Sequence, residues 1–351
     1  MQDTTEIRRG EELNEQNLRE FLRTEFNDSD ENIEISQFAA GSSNLTYLVK
    51  ISDEEYVLRR PPFGNAVKSA HDMKREYNVL SKLSKFYKPA PKPLIYCNDE
   101  NIIGSEFYLM CRCKGLIIRG KSTATLESSK DLQRKVCESF VDNLAELHSI
   151  DFEKIGLGEL GKPEGYAKRQ VEGWTKRYFN AKTDENGELE KTIEWLNAEI
   201  PESNSSALIH NDYKFDNIML NPNDLTEIEA VLDWEMATVG EPLMDLGTTL
   251  AYWMSKDAGE EMLDMPFNPR VLMENFSRKE LAEIYAAKSG RDLSNILFYY
   301  VFGTFKVAAI AQQIYFRFHE GFTQDKRFAN FNFFVNALGK IALHAIEKDK
   351  I

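Results

Sequence analysis

Residues 208–235 read LIHNDYKFDNIMLNPNDLTEIEAVLDWE, and the polar residues of this stretch govern how the rest of the chain is understood. His210, Asp212, Lys214 and Asn217 stand at the spacing H-x-D-x-K-x-x-N, and Asp233 follows the apolar run from Ile228 to Leu232. Transfer of a phosphoryl group needs a base to orient the attacking hydroxyl, a cation beside the moving charge, and oxygen ligands for magnesium next to the nucleotide phosphates. Asp212 suits the first role, Lys214 the second, and Asn217 with Asp233 the third. Magnesium keeps much of its water, so one carboxylate and one amide oxygen beside the phosphates of ATP suffice. Glu235, two residues past Asp233, falls on the same side if a strand continues through it.

The bulk properties bound the rest. A chain of 351 residues is long enough for two lobes, each with its own apolar core. A net charge of -14 argues against a nucleic-acid-binding surface. Cys97, Cys111, Cys113 and Cys137 have neither the C-x-x-C spacing of a zinc site nor the density of a disulfide scaffold, so they read as reduced thiols in a cytosolic, hence cytoplasmic, chain. The N-terminus lacks the apolar segment of a signal peptide. Ile296 to Phe316 is apolar, but Lys306, Gln312, Gln313 and nearby Arg317 mark it as a buried helix, so no membrane partner is expected. No internal repeat is evident.

In chain order, residues 11–26 carry a helical stripe of Leu13, Leu18, Phe21, Leu22 and Phe26. Ile33–Phe38 and Leu45–Ile51 read as a hairpin whose turn holds Gly41, Ser42, Ser43 and Asn44. Small residues there let backbone amides approach phosphate, and the hydroxyls of Ser42 and Ser43 add donors. Tyr56–Arg60 is a third strand and Ser69–Leu83 a helix. Leu94–Cys97 and Glu106–Cys113 follow as strands joined by a turn at residues 98–101. Helical patterns run over residues 130–150, 166–178, 189–200, 278–289, 293–317 and 328–347. His148 reads as a packed or capping residue and Trp174 as a core aromatic. Lys306, inside a helix apolar on most sides, needs a partner: an interior carboxylate or an anionic group of a substrate.

Taken together, IHNDYKFDNIML, VLDWEMATVGEPLMDLG, YVLRRPP and FKVAAIAQQI resemble the aminoglycoside phosphotransferase or choline-kinase-like small-molecule kinases, in the branch related to the kinase domains of acyl-CoA dehydrogenase family members ten and eleven. The likeness runs from about Ser36 to the C-terminal helix. It implies an α+β, protein-kinase-like fold of two lobes. Residues 1–114 are then a small nucleotide-binding lobe with an antiparallel sheet and an N-terminal helix, and residues 115–351 a larger, mostly helical lobe for catalysis and substrate binding. It also implies ATP and Mg2+ as cofactors and a small hydroxylated molecule as the phosphoryl acceptor.

Other roles come with the resemblance. Where related kinases carry a phosphate-binding lysine, this strand has Arg59, with Arg60 as the neighbouring candidate; arginine keeps its charge and binds phosphate bidentately. Glu76 stands where the family places the acid that pairs with that cation. The strand through Met110 and Arg112 resembles the segment that recognises adenine through backbone groups, which puts these two residues at the nucleotide. Asp245 matches the residue that braces the catalytic loop. For the acceptor, the nearest branch implies a hydroxyacyl-CoA or other small alcohol, the broad family an aminoglycoside or amino alcohol. The arginine in place of lysine keeps open a nucleotide-binding pseudokinase. A hydrolase using Asp212 as nucleophile lacks a second nearby acid.

Overall fold

The computed structural model describes residues 3–27, 32–39, 44–63, 72–118, 123–202, 205–254 and 269–351. The chain divides into two units: Met1–Lys114 with Glu229–Glu235, and Gly115–Ile228 with Met236–Ile351. The sheet lies in the first and nearly all of the long helices in the second, an α+β kinase-like arrangement.

In the first unit the strands β1 (Thr4–Thr5), β2 (Ile33–Phe38), β3 (Leu45–Ile51), β4 (Glu54–Arg60), β5 (Pro93–Cys97) and β6 (Phe107–Cys111) form one sheet in the order β1-β2-β3-β4-β6-β5, antiparallel throughout. The alternation of strand side chains sends Leu45, Tyr47, Val49 and Ile51 into one core. The first helix, α1 (Glu15–Phe26), covers that face with Leu18 and Leu22, and Phe21 meets Phe107 edge-on at 5.5 Å. Asn14 caps α1 by accepting the Asn17 amide.

Between β4 and β5 runs α2 (Met73–Leu83), capped by Asp72, which accepts the Arg75 amide. The first residues of the expected Ser69–Leu83 helix, 69–71, lie outside the described residues. The expected turn at residues 98–101 is instead the start of a short helix, α3 (Glu100–Ile103). Asp99 accepts the Asn101 amide, which satisfies an orphan donor of the first turn.

The Glu229–Glu235 segment is tied into this unit. The Val231 amide donates to the Pro89 carbonyl at 2.8 Å, and Trp234 packs edge-on against Tyr87.

The second unit is built on helices α4 (Ala124–Ser128), α5 (Lys130–Ser149), α6 (Tyr166–Ala181), α7 (Gly187–Ala198), α8 (Pro242–Tyr252), α9 (Arg270–Asn275), α10 (Arg278–Ser289), α11 (Ile296–His319) and α12 (Phe331–Lys348). The 189–200 pattern begins two residues early because Asn186 caps it by accepting the Leu189 amide. It stops at Ala198, short of Pro201, which disfavours helix in the residue before it. Strand β7 (Ala207–Ile209) pairs with β10 (Thr238–Gly240), and β8 (Ile218–Asn221) with β9 (Asp224–Val231), which runs on into the first unit's segment.

Helices α8 and α11 cross backbone to backbone. A Cβ on Gly247 would lie 2.1 Å from the Tyr299 carbonyl oxygen, and one on Gly303 would lie 2.3 Å from the Gly247 carbonyl oxygen. Only glycine permits that approach. Among the described residues no helix is long and apolar enough to cross a membrane.

Candidate active site

Strand β7 ends at Ile209 and β8 begins at Ile218, so residues 210–217 form a loop at the end of one strand pair. Asp245, in the first turn of α8, fixes its entry. One carboxylate oxygen accepts the His210 amide at 2.7 Å, and the other accepts the Asn211 amide at 2.8 Å. Asp245 is fully buried, and burial alone would raise its pKa. The His148 and His210 rings and the His210 amide outweigh that and hold it below the ordinary carboxylate range.

His148 bridges Asp245 (3.2 Å) and the Tyr285 hydroxyl (2.7 Å). Burial, partly countered by Asp245, lowers its pKa, so it stays neutral. It acts through Asp245, in the packed role expected of it.

Asn211 is left-handed, with φ of 68°, a conformation asparagine tolerates better than most residues. All of its polar groups are engaged. The Tyr166 hydroxyl donates to its Oδ1 at 3.2 Å, its Nδ2 donates to the Met236 carbonyl at 3.0 Å, and its own carbonyl accepts from Lys306 Nζ at 2.7 Å. The protein partner of Lys306 is thus a backbone carbonyl and not the side-chain carboxylate of an ion pair; Arg317 is exposed in the last turn of α11.

Asp212 follows directly. Lys214 Nζ reaches its two oxygens at 2.9 and 2.8 Å, the Tyr252 hydroxyl donates to Oδ1 at 3.0 Å, and Asn217 Nδ2 donates to Oδ2 at 2.9 Å. Four contacts from three donors thus converge on this carboxylate. Burial works against the Lys214 ammonium, but Tyr252 and Asp212 outweigh it and hold its pKa well above the ordinary lysine value. Its Nζ also sits 4.8 Å from the Tyr252 ring centre. Asn217 Nδ2 is committed to Asp212, donating to its backbone carbonyl as well as to Oδ2, both at 2.9 Å.

In the first unit, Arg59 lies between two acids. Its Nε is 3.4 Å from Glu76 and its Nη2 is 3.0 Å from Asp233. Burial raises the Glu76 carboxyl and Arg59 pulls it back. Burial likewise acts to lower the Arg59 guanidinium, and Glu76, Tyr108, Asp233 and Glu235 overcome this and keep it charged. Arg60, next on the strand, points to the other face, where it donates to the Ile103 and Pro61 carbonyls.

Asp233 is also left-handed, with φ of 67°, because β9 stops at Val231 and a 3-10 turn begins at Trp234. Glu235 therefore does not continue a strand beside Asp233; it accepts from Asn44 Nδ2 at 2.7 Å.

Of the remaining expected positions, Ser42 and Ser43 lie outside the described residues. Met110 is buried between β4 and β5, in register with Val57 and Pro93. Arg112 is paired with Asp3 (2.9 Å) and Glu55 (3.0 Å). The bonds of Met110 and Arg112 run elsewhere than the Arg59 cluster.

Sequence reasoning missed Tyr252 and the work done by Thr249, whose hydroxyl donates to the Tyr213 carbonyl at 3.0 Å. The signal was available: Asp245, Thr249 and Tyr252 stand at i, i+4 and i+7, one face of α8.

The chain is similar to known proteins in sequence and fold. The profile of the phosphotransferase enzyme family matches residues 34–267. Acyl-CoA dehydrogenase family member 11 of Gallus gallus is 34% identical over 82% of this chain, and family member 10 of Mus musculus 33% over 81%. The chain spans 37% and 26% of those two proteins. Among solved structures, a Ralstonia eutropha protein provisionally assigned as an aminoglycoside phosphotransferase matches with a TM-score of 0.80 at 25% identity, over 96% of this chain and 99% of its own. Choline kinase from Cryptosporidium parvum shares the fold, with a TM-score of 0.66 at 14% identity over 95% of this chain and 96% of its own.

Proposed function

Because this chain belongs to the phosphotransferase enzyme family, we propose that it is an ATP- and magnesium-dependent kinase that phosphorylates a hydroxyl group of a small molecule. The observation that carries the proposal is the Asp212 carboxylate, held as an acceptor by Lys214, Asn217 and Tyr252 on a loop braced by Asp245. Asp212 orients the acceptor hydroxyl and takes its proton, and Lys214 steadies charge on the phosphoryl oxygens.

Arg59, kept charged against Glu76, supplies a cation for the nucleotide phosphates. Among the described residues no three His, Cys, Asp or Glu side chains form a metal cage. Magnesium carried in on ATP needs fewer protein oxygens, and Asn217 and Asp233 are of the right chemistry to give them. When bound, the ion neutralises phosphate charge. Ser42, Ser43, Met110 and Arg112 remain proposed nucleotide contacts; the Arg112 guanidinium is paired with Asp3 and Glu55 and its amide with the Glu55 carbonyl, so its own carbonyl is the group left for the nucleotide.

The acceptor we favour is a hydroxyacyl-CoA or another small alcohol, supported by the acyl-CoA named in the curated relatives; aminoglycosides and amino alcohols come second. The first test is the melting temperature with magnesium and ATP, beside Asp233→Asn. Ligand at about a hundred times its Kd stabilises by roughly 2.7 kcal/mol, a rise of several degrees. The wild type should show that rise and the variant lose it. No rise at saturating nucleotide would point instead to a degenerate kinase fold.

A further inference from the structure

Lys306 is the buried charge that the catalytic scheme leaves unused. It sits in the middle of α11 at 2% exposure, and its ammonium hydrogen-bonds a neutral backbone carbonyl, that of Asn211, at 2.7 Å. Its Nζ also stands 5.8 Å from the Trp174 ring centre on α6. Burying an ammonium against a neutral acceptor is unfavourable, and a helix core would be more stable with an apolar side chain at that position. The peptide it grips joins Asn211 to Asp212 and belongs to a residue held in the left-handed region.

We infer that Lys306 is a positioning residue for Asp212: its ammonium locks the peptide that carries the base, and the lock holds only while the ammonium keeps its proton. The role rests on the reading of Asp212 as the base.

The surroundings fit a proton that is held but not tightly. Burial pulls the Lys306 pKa down to about 8, and Lys214 and Arg177 of α6 push the same way. Asp212 of the loop and Asp245 of α8 oppose them. Loss of the proton removes the charge from the donor that fixes the Asn211 carbonyl. The left-handed peptide is then free to relax and the Asp212 carboxylate to shift. Misplacing a catalytic group by about 1 Å lowers turnover by on the order of a hundredfold.

The test uses the full chain with MgATP, water serving as the acceptor, and follows ADP release and tryptophan fluorescence from about pH 7 to about pH 9. In the wild type, turnover should fall with a midpoint near 8, and fluorescence should step at the same pH. Trp174→Phe should remove the fluorescence step. Lys306→Met should turn over ~10–100-fold more slowly at neutral pH and show no alkaline fall.

An alkaline fall that survives in Lys306→Met, or wild-type turnover flat across the range, overturns the role of Lys306 and leaves the kinase reading standing. Absence of ADP release at every pH, both with water and with each hydroxyacyl thioester, small alcohol and amino alcohol offered as acceptor, overturns the kinase reading, and with it a role defined through Asp212. If Lys306→Met does not fold, the wild type and Trp174→Phe decide: coinciding midpoints support the role, and midpoints more than about one pH unit apart overturn it.

Discussion

Replacing Asp245 with Asn exchanges one carboxylate oxygen for an amide nitrogen and removes half of the brace on the 210–217 loop. In the wild type both carboxylate oxygens accept buried backbone amides, at 2.7 and 2.8 Å, and His148 adds a third contact at 3.2 Å. The asparagine keeps one acceptor and turns an NH2 group toward the other amide, donor against donor. One hydrogen bond to a charged group is lost, worth about 1.5–3 kcal/mol, and one buried amide is left unsatisfied, at about 1–3 kcal/mol. These overlap, since both describe the same amide, and a net loss of about 3 kcal/mol follows. For a unit of this size that is roughly 6–12 °C in Tm. Thermal unfolding followed by circular dichroism, with a urea titration to give the free energy, measures it. A variant melting within a degree or so of the wild type would show that the amides find other partners and that the brace has been misread.

Three further outcomes are expected. His148, its pKa lowered by burial, is protonated more readily in the unfolded chain. Its contribution is therefore complete above about pH 6.5 and drains as pH falls toward the folded value, with Asp245 adding a loss of the same sign below about pH 4. The urea midpoint should thus decline from pH 7 to pH 5 in the wild type and much less in His148→Gln. Arg59→Met should destabilise the protein by about 3–5 kcal/mol by stranding Glu76, while Arg59→Met with Glu76→Leu should recover most of that stability without restoring the nucleotide-induced melting shift; equal stabilities of single and double variants would count against the pair. Gly247→Ala, which drives a methyl into the Tyr299 carbonyl, should destabilise by about 1–3 kcal/mol or more, and wild-type stability in urea would contradict the close crossing of α8 and α11.

The first-unit strands β2 and β3 and the order of the long helices were legible because period two and period 3.6 are local properties of the chain: Leu45–Ile51, Ile33–Phe38 and residues 278–289 needed only the periodicity of their own side chains, whereas the two- to four-residue strands β1, β7, β8 and β10 are too short to show one. The family and the kinase-like fold were legible from the resemblance carried by four segments in order, IHNDYKFDNIML and VLDWEMATVGEPLMDLG with YVLRRPP and FKVAAIAQQI. What the sequence hid depends on backbone geometry and on partners far along the chain. Asp233 adopts positive φ, which ended the strand expected to carry Glu235, and that side chain meets Asn44, 191 residues away; Asn211 is left-handed too, which no residue pattern signalled. Lys306 was visible as a buried charge in need of a partner. That the partner is a main-chain carbonyl 95 residues back was not, since carbonyls leave no mark in a sequence. Arg59 and Arg60 are equal on paper; the strand pleat separates them, one to Glu76 and Asp233, the other to carbonyls on the opposite face.

The most direct measurement is phosphoryl transfer by the wild type and by Asp212→Asn. ADP release would be followed with MgATP and a panel of hydroxyacyl thioesters, small alcohols and amino alcohols, with nucleotide binding measured on the same samples by calorimetry. The account predicts that both proteins bind MgATP with similar affinity, that the wild type transfers phosphate to at least one hydroxylated acceptor, and that the variant is slower by about 10²–10⁴-fold. Turnover in Asp212→Asn within a few-fold of the wild type would contradict it.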